Sequence, residues 1–206
     1  MNRGKLLGIG VNDADYTIKV YHEATYVVGK RKRKIKWQCP HYVKWASMLH
    51  RCYSKEEHIR LPKYKNCTVC PEWFTFSNFR RWSVEQGMEE QHTKLHLDKD
   101  LLHKDNNVYS PEMCCYLEPK INNFLLEADK NRGDYKIGAS IRKNGRFKSR
   151  CCDPFKDKQE HIADFSSEEE AHHAWKERKH EYACLLADSE YVTNERVAES
   201  LRNRYL

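Results

Sequence analysis

Asp98, Lys99 and Asp100 lie together in Leu97-Asp98-Lys99-Asp100-Leu101, and Tyr109-Ser110-Pro111-Glu112-Met113-Cys114 and Ile121-Asn122 follow downstream. Acidic and amide side chains at a strand end, a polar hairpin and a second amide one helix later are the parts of a small metal site that cuts phosphodiesters. A hard divalent cation such as Mg²⁺, with Mn²⁺ as the alternative, takes oxygen ligands and keeps several waters. The Asp98 carboxylate and the Asn122 carbonyl would then leave room for substrate phosphate. Asp100 is either a further carboxylate near the metal or an exposed acid. The ion would stabilise the phosphate and the departing 3′ oxygen while a neighbouring base activates water.

The elements that must hold these groups are legible around them. Leu95, Leu97 and Leu101 alternate with His96, Asp98 and Asp100, the pattern of a half-buried strand with its polar members on one face. His103-Lys104-Asp105-Asn106-Asn107 reads as a turn, Val108-Tyr109 as the return strand, and about 118 to 129 as the helix bearing Asn122. Upstream, Pro40 opens a helix whose Trp45, Met48, Leu49 and Cys52 have the spacing of one buried face. Trp73, Phe76, Phe79 and Trp82 then recur every three residues around a second short helix, for which Ser77 is the expected cap.

Beyond Gly133-Asp134 the pattern changes. Tyr135 to Ile141, Phe147 to Cys151 and His161 to Phe165 predict three short strands, the first two joined by a tight hairpin at Lys143-Asn144-Gly145-Arg146. A helix with a serine cap and an acidic first turn follows, running through Trp175, Lys179, Tyr182 and Leu186. The last segment, Asp188 to Leu206, reads as a docking helix or a frayed tail.

At 206 residues, 33% charged and 39% hydrophobic, the composition is that of a soluble globular chain of one or two domains. No apolar run approaches the roughly 20 residues that span a bilayer, and the opening segment is too short in its apolar part for a signal peptide. A cytoplasmic protein without a membrane partner is the expectation. Nine cysteines, an odd number that includes the adjacent pairs Cys114-Cys115 and Cys151-Cys152, suit reduced thiols better than a disulfide framework. The knuckle Cys67-Thr68-Val69-Cys70, with Cys39 and Cys52, is a possible structural Zn²⁺ set, ranked behind buried thiols because the second pair is 12 residues apart.

Charge is unevenly distributed. Residues 1 to 36 hold nine basic and three acidic side chains, so +6 of the chain's +7 lies there. Within it, Lys30, Arg31, Lys32, Arg33, Lys34 and Lys36 form an electrostatic footprint for a polyanion. A second basic stretch, Lys136 to Arg150, carries six cations and no acid, among them Arg142, Arg146, Lys148 and Arg150. On a sheet face these can enter a DNA groove, where arginine is the usual partner of guanine.

The segments from Gly8 to Tyr16, Trp45 to Tyr53, Val69-Cys70-Pro71-Glu72-Trp73 and the Leu-Asp-Lys-Asp run together resemble HNH endonucleases carried by bacteriophages. The downstream part resembles the AP2-like DNA-binding domains often fused to them. The resemblance implies an α+β fold: a ββα-metal HNH nuclease core with an aromatic-rich helical N-terminal half, then a three-stranded antiparallel sheet plus helix of AP2-like type. The expected domains are a basic N-terminal arm or strands at 1–39, an HNH-like nuclease domain at 40–130, an AP2-like DNA-binding domain at 134–188 and a C-terminal helix or tail at 189–206. The implied activity is metal-dependent hydrolysis of double-stranded DNA in the cytoplasm of a bacterial host.

Residue by residue, Asp98 matches the metal-binding Asp and Asn122 the helix ligand, Lys99 falls where the general-base His usually stands, and Met113 replaces a structural Asn. An ammonium of ordinary pKa, about 10.4, is a poor base at neutral pH. Either Lys99 is depressed, or His96 or His103 supplies the base, or the chain is a DNA-binding or regulatory protein that does not cut.

Overall fold

The computed structural model describes residues 5–23, 25–27, 30–89, 94–126 and 134–206, with backbone alone for 25–27 and 30–32. The chain is mixed α+β and divides into two compact units, Met1–Tyr116 and Leu117–Leu206. This division lies upstream of the 130–134 break expected from composition, so the helix carrying Asn122 belongs with the second unit.

Four short strands open the first unit: β1 (Lys19–Tyr21), β2 (Thr25–Val27), β3 (Lys30–Lys32) and β4 (Ile35–Gln38). β1 pairs with β4 and β2 with β3, both antiparallel. Helix α1 (Pro40–Tyr53) starts on a proline, whose missing N–H is harmless in a first turn, and buries Trp45, Met48, Leu49 and Cys52 as their spacing predicts. α2 (Lys55–Arg60) and β5 (Thr68–Val69) follow, then a 3-10 turn at Pro71–Phe74 and α3 (Phe76–Glu85).

Ser77 does not cap α3. It lies inside the helix, and the Asp13 carboxylate accepts from both its backbone N (2.9 Å) and its Oγ (2.5 Å). A distant carboxylate supplies what the expected local serine does not, because it both satisfies donors and complements the helix dipole.

The core of this unit is aromatic. Trp45 Nε1 donates to the Trp73 carbonyl at 2.6 Å, which ties α1 to the 3-10 turn. Trp73 in turn packs on Trp82 (4.5 Å between centroids) and edge-on against Phe79 (5.1 Å).

Strands β6 (His96–Asp98), β7 (Val108–Tyr109) and β8 (Cys115–Leu117) complete the region of interest. Val108–Tyr109 is not the partner of His96–Asp98. β7 runs parallel to β5, pairing Val108 with Thr68 and Tyr109 with Val69, and β6 pairs with β8. The reason is local: Thr68 N donates to the Asn107 carbonyl and Cys70 N to the Tyr109 carbonyl, which commits this backbone to β5.

In the second unit, α4 (Pro119–Leu125) ends sooner than the expected helix to about 129, and 127–133, with Ala128, lie outside the described residues. β9 (Ala139–Ile141), β10 (Phe147–Asp153) and β11 (Lys158–Phe165) form an antiparallel sheet in the order β11-β10-β9. α5 (Glu168–Ala187) packs on this sheet and begins at a capping box in which Ser167 and Glu170 satisfy each other's backbone donors. α6 (Glu195–Asn203) buries Val197, Ala198 and Leu201 and packs on α5, so the C-terminal segment is a docking helix. No helix among the described residues is long and apolar enough to cross a membrane.

Gly138 fixes how closely the sheet approaches α5. Its φ is +84°, and a Cβ there would lie 2.1 Å from Trp175 Cγ; Gly145, φ +77°, has nothing within 4 Å. Gly145→Ala should cost about 1 kcal/mol of backbone strain, whereas Gly138→Ala adds an overlap with a buried ring and should cost roughly 2–4 kcal/mol. Denaturant unfolding checks this, and equal losses at the two glycines would exclude the Trp175 contact as the constraint.

Candidate active site

The chemistry-bearing strand end is built by reciprocal side-chain and backbone bonds. Asp98 Oδ1 accepts from the backbone N of Asp100 (2.9 Å) and of Leu101 (2.8 Å), which turns the chain out of β6 and buries Leu101. Lys99 is buried, and its Nζ donates to Asp100 Oδ1 (2.5 Å) and to the Asn106 carbonyl (2.6 Å). Asn106 Nδ2 donates to the carbonyls of Lys99 and Val108 (both 2.8 Å), and its Oδ1 accepts from Val108 N (2.9 Å). Asn106 thus ties the two ends of the 99–108 loop together, while Met113 is half-buried two residues before β8.

These bonds separate the candidate roles. Burial alone would lower the Lys99 pKa, but the bond to Asp100 and its charge outweigh burial and hold it raised. Lys99 is therefore a fixed ammonium, a structural donor and not a source of a lone pair. His96, two residues before Asp98 on the same face of β6, is exposed, and its ring makes no hydrogen bond among the described residues. Its pKa is lowered, by partial burial first and then by the positive charges of Lys44 and Arg51. His103 is exposed in the loop.

Burial pushes the Asp98 pKa above the ordinary carboxylate value, against the pull of its two backbone donors. Its Oδ2 takes no hydrogen bond among the described residues. One carboxylate oxygen, destabilised as an anion and not otherwise engaged, suits a hard cation whose remaining positions are filled by water and phosphate. Asp100 is half-exposed and committed to Lys99 through Oδ1. Asn122 is half-buried on α4, in the other compact unit, so Asp98 and Asn122 are not members of one unit.

Lys44 and Arg51 were not singled out by the motif. With Ser47 they form a half-buried stripe at i, i+3 and i+7 along α1, beside the fully buried Trp45–Cys52 face. Arg51 lies over the Tyr64 ring at 5.6 Å and within electrostatic reach of the buried Tyr109. The spacing was available in the sequence; that it flanks His96 depends on long-range packing.

Three of the four cysteines considered for zinc, Cys39, Cys52 and Cys67, are buried in the aromatic core, and Cys70 packs against it. Cys39 Sγ lies 3.5 Å from the Tyr16 hydroxyl, while Cys67 Sγ is near the Lys63 carbonyl (3.9 Å) and Asn107 Oδ1 (3.8 Å). Burial pushes the Cys52 thiol up to about 12 and Cys70 to about 11. Among the described residues no three of His, Cys, Asp and Glu are grouped to hold a metal, and none of the nine cysteines is in a disulfide.

The basic residues fall into two groups. On the sheet, Arg142 Nε donates to Asp164 Oδ1 (2.8 Å) and Arg146 Nη2 to the Asp164 carbonyl (2.6 Å), so both are engaged within the sheet. Lys148 and Arg150 form no ion pair among the described residues; Arg150 is exposed opposite His161, after a bulge at Ser149/Arg150. In the arm, Arg33 and Lys34 are exposed, while the side chains of Lys30, Arg31 and Lys32 lie outside the described residues. No family model, curated protein or solved structure matches this chain.

Asp98→Asn keeps an Oδ1 acceptor for the turn and removes a carboxylate whose folded-state pKa is raised. A raised carboxyl pKa opposes folding above that pKa, and the penalty fades as pH falls through it toward the unfolded value of about 3.9. The variant should therefore melt above the wild type at pH 7 without added metal, with the gap closing near pH 4. A lower melting point at pH 7 would refute a strained, ionised Asp98.

Proposed function

We propose that this protein is a divalent-metal-dependent endonuclease acting on double-stranded DNA. The observation that carries the reading is one face of β6, which carries a carboxylate with a free Oδ2 (Asp98) and, two residues before it, an imidazole without a bonded partner (His96) that feels the positive charges of Lys44 and Arg51. When bound, Mg²⁺ or Mn²⁺ stabilises negative charge on the phosphate and on the departing 3′ oxygen. Asp98 would hold that ion through its carboxylate. His96 takes the proton from water as its oxygen bonds to phosphorus and the P–O3′ bond breaks, leaving a 5′-phosphate. Lys44 and Arg51 hold the phosphate oxygens, Lys99 and Asn106 fix the loop behind Asp98, and Asn122 has no step in this scheme. The expected ββα-metal and AP2-like family assignments belong to the same proposal.

A second reading, a DNA-binding or regulatory protein that does not cut, is favoured by one feature: the position expected for a base holds a buried ammonium bonded to two acceptors. Conversion of supercoiled plasmid to nicked or linear form with Mg²⁺ or Mn²⁺ separates the two. Wild type should cut, Asp98→Ala should abolish cutting, and His96→Ala should slow it by about 10²–10⁴-fold. Intact plasmid with retained DNA affinity would transfer the conclusion to the second reading.

Duplex binding, measured without metal, should weaken steeply with salt. Replacing both Lys148 and Arg150 by alanine should lower the slope of log affinity against log salt by about 2, because each frees about one phosphate contact. Arg142→Ala should change it less, since Asp164 already engages that guanidinium. A double variant with an unchanged slope would remove this sheet face from the DNA contact.

A further inference from the structure

Away from β6, the first unit contains a cavity of about 520 Å³ between α3 and the segment before β1, lined by Asp15, Tyr16, Phe76, Arg80, Arg81 and Glu85 among others. This is the size of small-molecule sites. Arg80 makes it chemically specific. Its guanidinium lies over the Tyr16 ring at 5.2 Å, its Nε is buried without an acceptor, and it forms no hydrogen bond or ion pair among the described residues. A buried guanidinium N–H without an acceptor is costly and calls for an oxyanion.

The acids around it do not fill that role. Asp13 is used up on Ser77, and Asp15 and Glu85 are exposed and do not reach Arg80. An exposed acidic rim repels a continuous polyanion, yet carboxylates accept well from the exocyclic amines of nucleobases. A guanidinium stacked on tyrosine is also a platform on which a flat base can lie.

We propose that this cavity binds a single nucleoside 5′-monophosphate with an amino-bearing base, its phosphate on Arg80 and Arg81 and its amine at Asp15 or Glu85. The site is separate from the metal chemistry at Asp98, and the proposal does not depend on cleavage.

The test is isothermal titration of the full chain, in EDTA, with dAMP, dCMP, dTMP and inorganic phosphate. We expect saturable binding of dAMP or dCMP, weaker binding of dTMP, and about tenfold loss in Arg80→Gln, the equivalent of one charge-assisted hydrogen bond. Circular dichroism checks that the variant folds; if it does not, Arg81→Gln, on the exposed side of α3, should lower affinity several-fold. Absence of nucleotide binding, unchanged affinity in the folded variant, or inorganic phosphate binding as tightly as dAMP would overturn the proposal. Because no metal or cleavage enters the readout, its failure is distinct from failure of the nuclease reading.

Discussion

A buried ammonium must find acceptors, and the way Lys99 finds them organises the candidate site. Its bonds to the Asp100 carboxylate and the Asn106 carbonyl draw both ends of the 99–108 loop together, and Asn106 returns its own amide to the Lys99 carbonyl. With the loop closed, Asp98 is left at the turn with one oxygen engaged and one free. The same closure delivers Val108 and Tyr109 to β5, with Tyr109 within electrostatic reach of Arg51 on α1. One internal cation thus connects the strand that bears the carboxylate to the helix that bears the external cations.

Pairing decides which charges remain available for a ligand. Arg142 and Arg146 are engaged by Asp164, and Arg202 by Asp188 and Glu195. Exposed pairs of this kind contribute little stability, but they occupy donors that a phosphate would otherwise take. Lys148, Arg150 and Arg80 have no such partner among the described residues. Counting basic residues in a stretch overstates its binding capacity, and the register of β10 against β11 determines which of them count.

The second unit shows the same economy in its core. Lys179 on α5 is buried, donates to the Phe124 carbonyl at 2.6 Å and lies 3.6 Å over that ring. It anchors α4 within the unit, which explains why the helix bearing Asn122 clusters with the second unit's sheet and α5. A lysine in the middle of an amphipathic stripe reads as a solvated position, so this contact was not legible from spacing.

Much of the local structure was legible because it rests on short-range rules. Pro40 with the Trp45–Cys52 spacing produced α1, Ser167 with Glu170 produced the start of α5, and Gly145 produced the hairpin turn. The sequence by itself determined the main helices and the three strands beyond residue 134, the placing of His96 and Asp98 on one strand, and the two basic stretches. Tertiary structure alone decided that β6 pairs with β8, that Asp13 caps α3, that Lys99 is a structural donor, and that Lys44 and Arg51 flank His96. Helix caps and turns are satisfied by residues a few positions away, whereas a buried charge or an unpaired strand edge is satisfied by whatever group packing brings to it.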